Sequence, residues 1–341
     1  MYYIGLDVHK KTISFCIKDS AGAIHREGVI DSSRDSLDAW LRTLPAPWHA
    51  AMEATLFTGW IYDHLLPHAH QLSVAHPAML RAISLAKRKN DRLDAAKIAD
   101  MLRCDILPEC YMAPQELREK RRTLRYRNLL VRQSTQTKNR TAGLLMETGV
   151  TYNKSRLHQK KYFQELLQSN PEIAPALKPL LLIGRSTIDQ LTQTERALLR
   201  SLEKDPLLRK RIERLTSIPG VGLVTALTWA LETGEIQRFP SIKHAISYCG
   251  LCGSENSSAG IQKRTPISKQ RNKHLQTVLI EAAKLAPRYN PELALLYDRE
   301  RQRGNYNRAT LAVARKLVSY LLAVDRREED FQLRRPTEEV A

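Results

Sequence analysis

Apolar and polar positions first follow a short period along this chain. Residues 2–8 (YYIGLDV) and 12–19 (TISFCIKD) are brief, apolar and rich in β-formers, which predicts two strands. SAGA at 20–23 reads as a tight turn and HREGVI at 25–30 as a third strand, giving an antiparallel meander. The period then lengthens. Leu37, Trp40, Leu41 and Leu44 fall at helical spacing behind an N-cap serine at 33. WHAAMEA (48–54) predicts a strand, GWIYDHLL (59–66) a helix, QLSVAH (71–76) a strand, and a helix follows Pro77. From Asp91 a longer helix runs through Ala95, Ile98, Ala99, Met101 and Leu102. The order β-β-β-α-β-α-β-α predicts an α/β unit with a mixed sheet.

The middle of the chain, about 114 to 215, is helical and polar. Its first stretch carries Arg118, Lys120, Arg121, Arg122, Arg125, Arg127, Arg132, Lys138 and Arg140. Leu177, Leu181, Gly184, Ile188, Leu191, Glu195, Leu198 and Leu202 then alternate at four and three, a heptad seam with Gly184 and Glu195 as flaws. Such a seam serves a dimer contact or a helical hairpin within one chain, and the spacing leaves both open. The last third is helical again, around an apolar 215–231 and a helical 310–324. It ends in a charged, loose tail.

Composition narrows the partners. Among 341 residues, 54 are Lys or Arg and 36 are Asp or Glu, a formal charge of +18. An excess that large, and clustered, points to a polyanion, most often nucleic acid. The five cysteines, at 16, 104, 110, 249 and 252, predict a reduced protein without structural disulfides. No apolar stretch approaches membrane-spanning length, and the first apolar run stops at Asp7, so no signal peptide is expected. The expected location is the cytosol.

Four acids are placed for chemistry. Asp7 interrupts an apolar strand, Glu53 does the same in AAMEAT, and Asp91 and Asp94 stand three apart on a helix, hence on one face. The plain reading of each alone is a surface acid or a helix cap. Together, from two strands and a helix, they suit a cluster that holds Mg²⁺ or Mn²⁺ for phosphoryl transfer, with two ions roughly 3.5–4 Å apart. His9, next but one to Asp7, could reach such a site, but the plainer reading is a bystander.

In order and spacing, IGLDVHK, MEAT and KNDRLDA resemble the DEDD transposases of insertion-sequence family 110, with its 1111 subgroup and the Piv-like DNA invertases. The resemblance extends over nearly the full length. It implies a RuvC-like domain of the ribonuclease H fold at 1–110, a basic helical or coiled-coil linker at 111–212, a mainly α C-terminal transposase domain at 213–328, and a loose tail at 329–341. It implies a metal site made of Asp7, Glu53, Asp91 and Asp94. The Lys87-Arg88-Lys89 run sits where scissile phosphates would approach.

IPGVG (218–222) resembles the hairpin of a helix-hairpin-helix element. There Gly220 and Gly222 let the backbone approach a phosphate, and the interhelical turn is the plainer alternative. Residues 254–275 read as a loop with interleaved bases, including Lys263, Arg264, Lys269, Arg271 and Lys273. Alone, any serine there reads as a solvated hydroxyl. The resemblance implies a catalytic serine in this segment. Ser258 is preferred as the end of the Ser-Ser pair, and Ser257 is kept by its distance to Ser268-Lys269. Ala259 and Arg271 stand where the family commonly has glycine, and MEATLFTG is longer than its usual EATG. CGLC (249–252) has half of a zinc spacing, but no second pair follows, so buried cysteines are expected.

The implied activity is a site-specific DNA transposase or recombinase that moves its own insertion sequence. It would use the DEDD site and the serine, in a site that two protomers of a dimer or tetramer could share. The resemblance also implies a structured guide RNA as partner. Arg118, Arg121, Arg122 and Arg125, with Gly220, Gly222, Lys263, Arg264 and Lys269, are the expected nucleic-acid contacts. The rival readings are a metal-dependent junction resolvase without a covalent step, and a nucleic-acid-binding protein without activity.

Overall fold

The computed structural model describes residues 1–83, 90–253, 255–258, 261–265 and 267–333. The chain forms two compact units, Met1–Gln115 and Glu116–Ala341. Lys87, Arg88 and Lys89 lie outside the described residues.

The first unit holds β1 (Tyr2–Val8), β2 (Thr12–Lys18), β3 (Ile24–Asp31), α1 (Arg34–Leu41), β4 (Trp48–Glu53), α2 (Thr58–Leu65), β5 (Gln71–Ala75), α3 (Pro77–Ile83) and α4 (Asp91–Arg103). The sheet order is β3-β2-β1-β4-β5. β1 pairs antiparallel with β2 and parallel with β4, and β4 is parallel to β5. The expected mixed sheet is therefore present. Alternation sorts its two faces. Ile4, Leu6, Val8, Ala50 and Met52 pack with Leu37, Trp40, Ile61 and Leu65 of α1 and α2. On the other face, Ala51 and Ala75 pack with Ile98, Met101 and Leu102 of α4.

Gly5 lies on the α4 face. A Cβ there would run into the carbonyl of Ala95 and come within 2.5 Å of the Ala99 amide. The missing side chain, with two alanines opposite, lets the α4 backbone lie directly on β1. That close approach sets where the first turn of α4 falls.

The second unit is mostly helical: α5 (Gln115–Glu147, which begins at the boundary), α6 (Lys160–Ser169), α7 (Leu177–Glu203), α8 (Pro206–Thr216), α9 (Leu223–Thr233), α10 (Ile242–Tyr248), α11 (Lys273–Leu285), α12 (Pro291–Gln302) and α13 (Tyr306–Arg327). Its main core gathers around α9, which buries Trp229, Leu227 and Leu231. The heptad seam of α7 is used inside the chain. Glu195 pairs with Arg127 of α5, and Gly184 leaves room for Thr141, whose Oγ1 would lie 2.7 Å from an added Cβ. Thus α5 and α7 run antiparallel, and each flaw in the seam meets a residue that needs it.

Two expectations change here. The segment read as a loop at 254–275 contains an antiparallel pair, β6 (Glu255–Ser258) and β7 (Ile261–Arg264). The tail read as loose from 329 is anchored at its start. The Phe331 amide donates to Ser217 Oγ at 2.8 Å, and its ring packs on Tyr320.

Candidate active site

Asp7 and Glu53 end neighbouring parallel strands on the same face. Gly5 pairs with Ala51 and Leu6 with Met52, so one further step sets Asp7 abreast of Glu53, about 4.8 Å away between strands. α4 starts above them. Asn90 caps it, its side chain accepting from the Arg92 amide, and Asp91 and Asp94 fill the first turn. The stripe Asp91, Asp94, Ala95, Ile98 and Leu102 follows helical spacing toward the sheet. With Ala95 and Ala99 seated on Gly5, Asp91 arrives at Asp7.

There the groups converge. His9 Nε2 donates to Asp7 Oδ2 at 3.2 Å and lies 3.5 Å from Asp91 Oδ2. One ligand atom each from Asp7, His9 and Asp91 fall within 4.8 Å of one another, the one such trio among the described residues. His9, expected as a bystander, instead bridges the two acids. That bridge is a tertiary event, since Asp91 is far along the chain. Asp7 is 8% exposed, whereas Asp91 and His9 are open to solvent.

Burial pushes the Asp7 carboxyl above its ordinary range, and the charges of Asp91 and Asp94 push the same way, against His9. A buried carboxylate among other carboxylates is disfavoured by itself and gains from an added cation. The donor set of carboxylate oxygens with one imidazole fits a divalent ion at such a place. Asp94 gives one oxygen to Lys97 Nζ at 3.1 Å. Glu53 is half-buried. Its carbonyl accepts from Thr58 Oγ1 at 2.8 Å, and Thr58 Oγ1 in turn accepts from the Thr55 amide. The residues added between Thr55 and Gly59 thus form a turn braced by Thr58 at the end of β4, with Leu56 exposed at its tip.

In the second unit, Ser257 pairs with Gln262 and Ser258 with Ile261. The side chains of Ser257, Ser258, Lys263 and Arg264 lie outside the described ones. The feet of this hairpin are well fixed. Asn272 N donates to Tyr248 O at 3.1 Å, Gln276 Nε2 to Gly250 O at 2.7 Å, and Arg315 Nε to Leu251 O at 2.8 Å. Arg271, a departure from the family pattern, packs over Gly250, whose φ of +70° and crowded Cβ position both require glycine. Lys269 is exposed. Cys249 is fully buried, and burial holds its thiol far above the ordinary range, so it stays protonated as a packing residue.

Two expected nucleic-acid contacts turn inward. Arg125 forms a two-pronged pair with Glu232, Nε to Oε1 at 2.8 Å and Nη2 to Oε2 at 2.7 Å. Arg121 Nε donates to Leu231 O at 2.7 Å. Asn272 Nδ2 donates to the same Glu232 at 2.8 Å while its Oδ1 caps α11. Glu232 is 1% exposed. Arg125, though its side chain is 46% exposed, thus pairs with a buried acid over a hundred residues away, and Arg121 with the carbonyl beside it, which their own surroundings in the chain could not reveal.

The two glycines of IPGVG differ. Gly220 has φ +91°, and a Cβ would sit 2.5 Å from that of Ala286, so it is glycine for packing. Gly222 caps α9 and has nothing within 4 Å of an added Cβ. Both glycines border a cavity of about 670 Å³ lined also by Arg132, Lys273 and His274. Of the two, only Gly222 has open space where a side chain would go.

The chain matches two sequence-family profiles. One for transposases of the DEDD type of IS110 covers residues 4–150, and one described as transposase IS116/IS110/IS902 family covers 212–298. It is similar to the transposase for insertion sequence element IS1111A of Coxiella burnetii, 28% identical over 252 residues, 72% of this chain and 68% of that one. It is also similar to the transposase for insertion sequence element IS1328 of Yersinia enterocolitica, 24% identical over 287 residues and 83% of each chain. Against the pilin gene-inverting protein of Moraxella lacunata it is 24% identical over 354 residues, 97% of this chain and 98% of that one. An acid-bearing α/β unit followed by a basic helical one, with these relatives, defines an enzyme that rearranges DNA. The chain belongs to the IS110 family of insertion-sequence transposases. Among the described residues, no helix is long and apolar enough to cross a membrane.

Proposed function

We propose that this transposase cuts and rejoins DNA with a divalent cation, Mg²⁺ or Mn²⁺, held by Asp7, Glu53, Asp91 and Asp94, and with a serine nucleophile, Ser258 or Ser257. The observation that carries the reading is the meeting of Asp7 and Asp91 around His9, with Glu53 in register beside Asp7. The sheet order, a three-stranded meander continued by two parallel strands, supports a RuvC-like domain. The bound cation would supply charge stabilisation to the scissile phosphate. Asp7 and Asp91 present the oxygens, Asp94 and Glu53 complete the acidic wall, and His9 orients Asp7. The serine Oγ forms a bond to phosphorus as the strand's bridging P–O bond breaks; the hydroxyl proton passes to a base and the departing strand oxygen is reprotonated. Successive strand positions belong to opposite faces, so one of the two adjacent serines serves. Gly222, Lys269, Lys263, Arg264, Arg118 and Arg122 are the proposed backbone contacts. The net charge of +18 supports a second polyanion, a structured guide RNA that selects the DNA.

Trapping tests this reading. Wild type incubated with element-end DNA and Mn²⁺ yields a protein–DNA adduct that survives denaturation. The adduct disappears in one of Ser258→Ala and Ser257→Ala. Cleavage that persists without an adduct would remove the serine and favour a resolvase-like reaction.

A further inference from the structure

The cations of α5 meet two different fates. Lys120 pairs with Asp205 at 3.1 Å, Arg127 with Glu195 and Arg125 with Glu232, while Arg121 serves a carbonyl. Nearer the α5 C-terminal end, about two and a half turns before it, the pattern reverses. A cavity of about 460 Å³ lies between α5 and α7, lined by Lys138, His158, Arg185, Asp189, Arg196 and Arg200 among others. Arg185 is neutralised by Asp189 and also donates to His158 O. Lys138, Arg196 and Arg200 have no acidic partner among the described residues.

We propose that this cleft binds the phosphodiester backbone of a nucleic acid. Three features support it. First, four cations and one carboxylate line the cleft; with Arg185 paired to Asp189, Lys138, Arg196 and Arg200 are left as an excess of like charge that favours a polyanion. Second, Arg185, Asp189, Arg196 and Arg200 recur at helical spacing on one stripe of α7, which spans about 22 Å along the axis. A strip of that length suits a run of phosphates better than a single small anion. Third, His158 Nδ1 is buried without a partner, and burial together with the nearby charges of Lys138 and Arg185 holds the ring below its ordinary range. The positive field at the cleft is thus already felt by a neighbour. Ile188 is the one large apolar side chain that lines it, so it does not resemble a small-molecule pocket.

The proposal rests on the chain being a nucleic-acid enzyme, and it deepens that reading by naming a surface none of the expected contacts included. Duplex DNA and structured RNA share the required chemistry, so both are arms of the test. Binding of the full-length protein to a duplex of the element end, and to an RNA hairpin, is measured across a salt series. The variant Lys138→Gln/Arg196→Gln/Arg200→Gln is compared with wild type and with Lys161→Gln, a control on exposed α6. Thermal melting checks folding, and the exposed single variant Arg200→Gln keeps the test open if the triple variant melts early. For the arm that uses the cleft, affinity falls about tenfold or more, and the slope of log K against log salt flattens by about 2 to 3. Loss in the DNA arm assigns the cleft to DNA, loss in the RNA arm to RNA, and loss in both to either backbone. Unchanged slopes in both arms, or an equal loss in Lys161→Gln, would overturn it. Binding is read without cleavage, so failure here is separate from failure of the serine or metal assignment.

Discussion

Asp7 and Glu232 are both buried carboxylates, and their surroundings are opposite. Asp7 ends a strand beside two more acids, with one imidazole in contact, and its carboxyl is pushed above the ordinary range by burial and by those charges. Glu232 lies deeper. Burial alone would raise it, yet hydrogen bonds from Arg125 and Asn272 and the charges of Arg125 and Arg121 hold it below the ordinary range. One acid is left electrostatically unsatisfied at a solvent-reachable end of the sheet; the other has every oxygen supplied. Perturbation toward neutrality, in a cluster of like charges, is what the proposed cation site would show before a cation binds. Perturbation toward the charged form marks a structural clamp. The clamp also ties α5 and the α11 cap together at the foot of the β6–β7 hairpin.

Exchanging each acid for its amide separates the two roles. Asp7→Asn should lower recombination by about a thousandfold, as expected when several kcal/mol of charge stabilisation is lost, while the melting temperature holds or rises. Recombination on a plasmid carrying the element ends, run beside a melting curve, measures both. Glu232→Gln should do the reverse in emphasis, removing about 1–3 kcal/mol of stability because the buried side chain loses its charge-assisted hydrogen bonds from Arg125, which is itself half exposed. Urea unfolding gives that value. The pH dependence sharpens the contrast. Since the folded Glu232 carboxyl lies below its unfolded value near 4.5, its contribution is present above that pH and is lost as pH falls through the lower folded value. Wild type and Glu232→Gln should therefore converge in stability as acid is added below about pH 4.5. A constant gap would contradict the clamp.

A smaller pair of effects separates the two glycines of IPGVG. Gly220→Ala should cost about 1–3 kcal/mol, from its positive φ and the clash with Ala286. Gly222→Ala should leave melting within about 1 °C and weaken DNA binding severalfold. If both changes act on melting alone, the hairpin is only a turn.

The sequence already displays much of the first unit. Period-two runs announce the strands, and Asp7 and Glu53 stand out because each breaks such a run. It does not display why the acids meet. That depends on Gly5 admitting α4, a contact between backbones that no local pattern encodes. His9 reads as a bystander in the sequence for a related reason, since its second partner, Asp91, arrives only through tertiary packing. In the second unit the basic run of α5 suggested a nucleic-acid face, but Arg121 and Arg125 turn inward toward α9. Charge counts cannot tell a solvated arginine from one facing a buried glutamate. The β6–β7 pair was hidden because its strands are four residues each and polar, below the length at which alternation is readable.

The most direct test of the central claim is cation binding at Asp7. Calorimetric titration of the full-length protein with Mn²⁺ should give saturable binding that Asp7→Asn and Asp91→Asn abolish and that Glu232→Gln, measured well below its melting temperature, retains. Equal binding by wild type and Asp7→Asn would contradict the account.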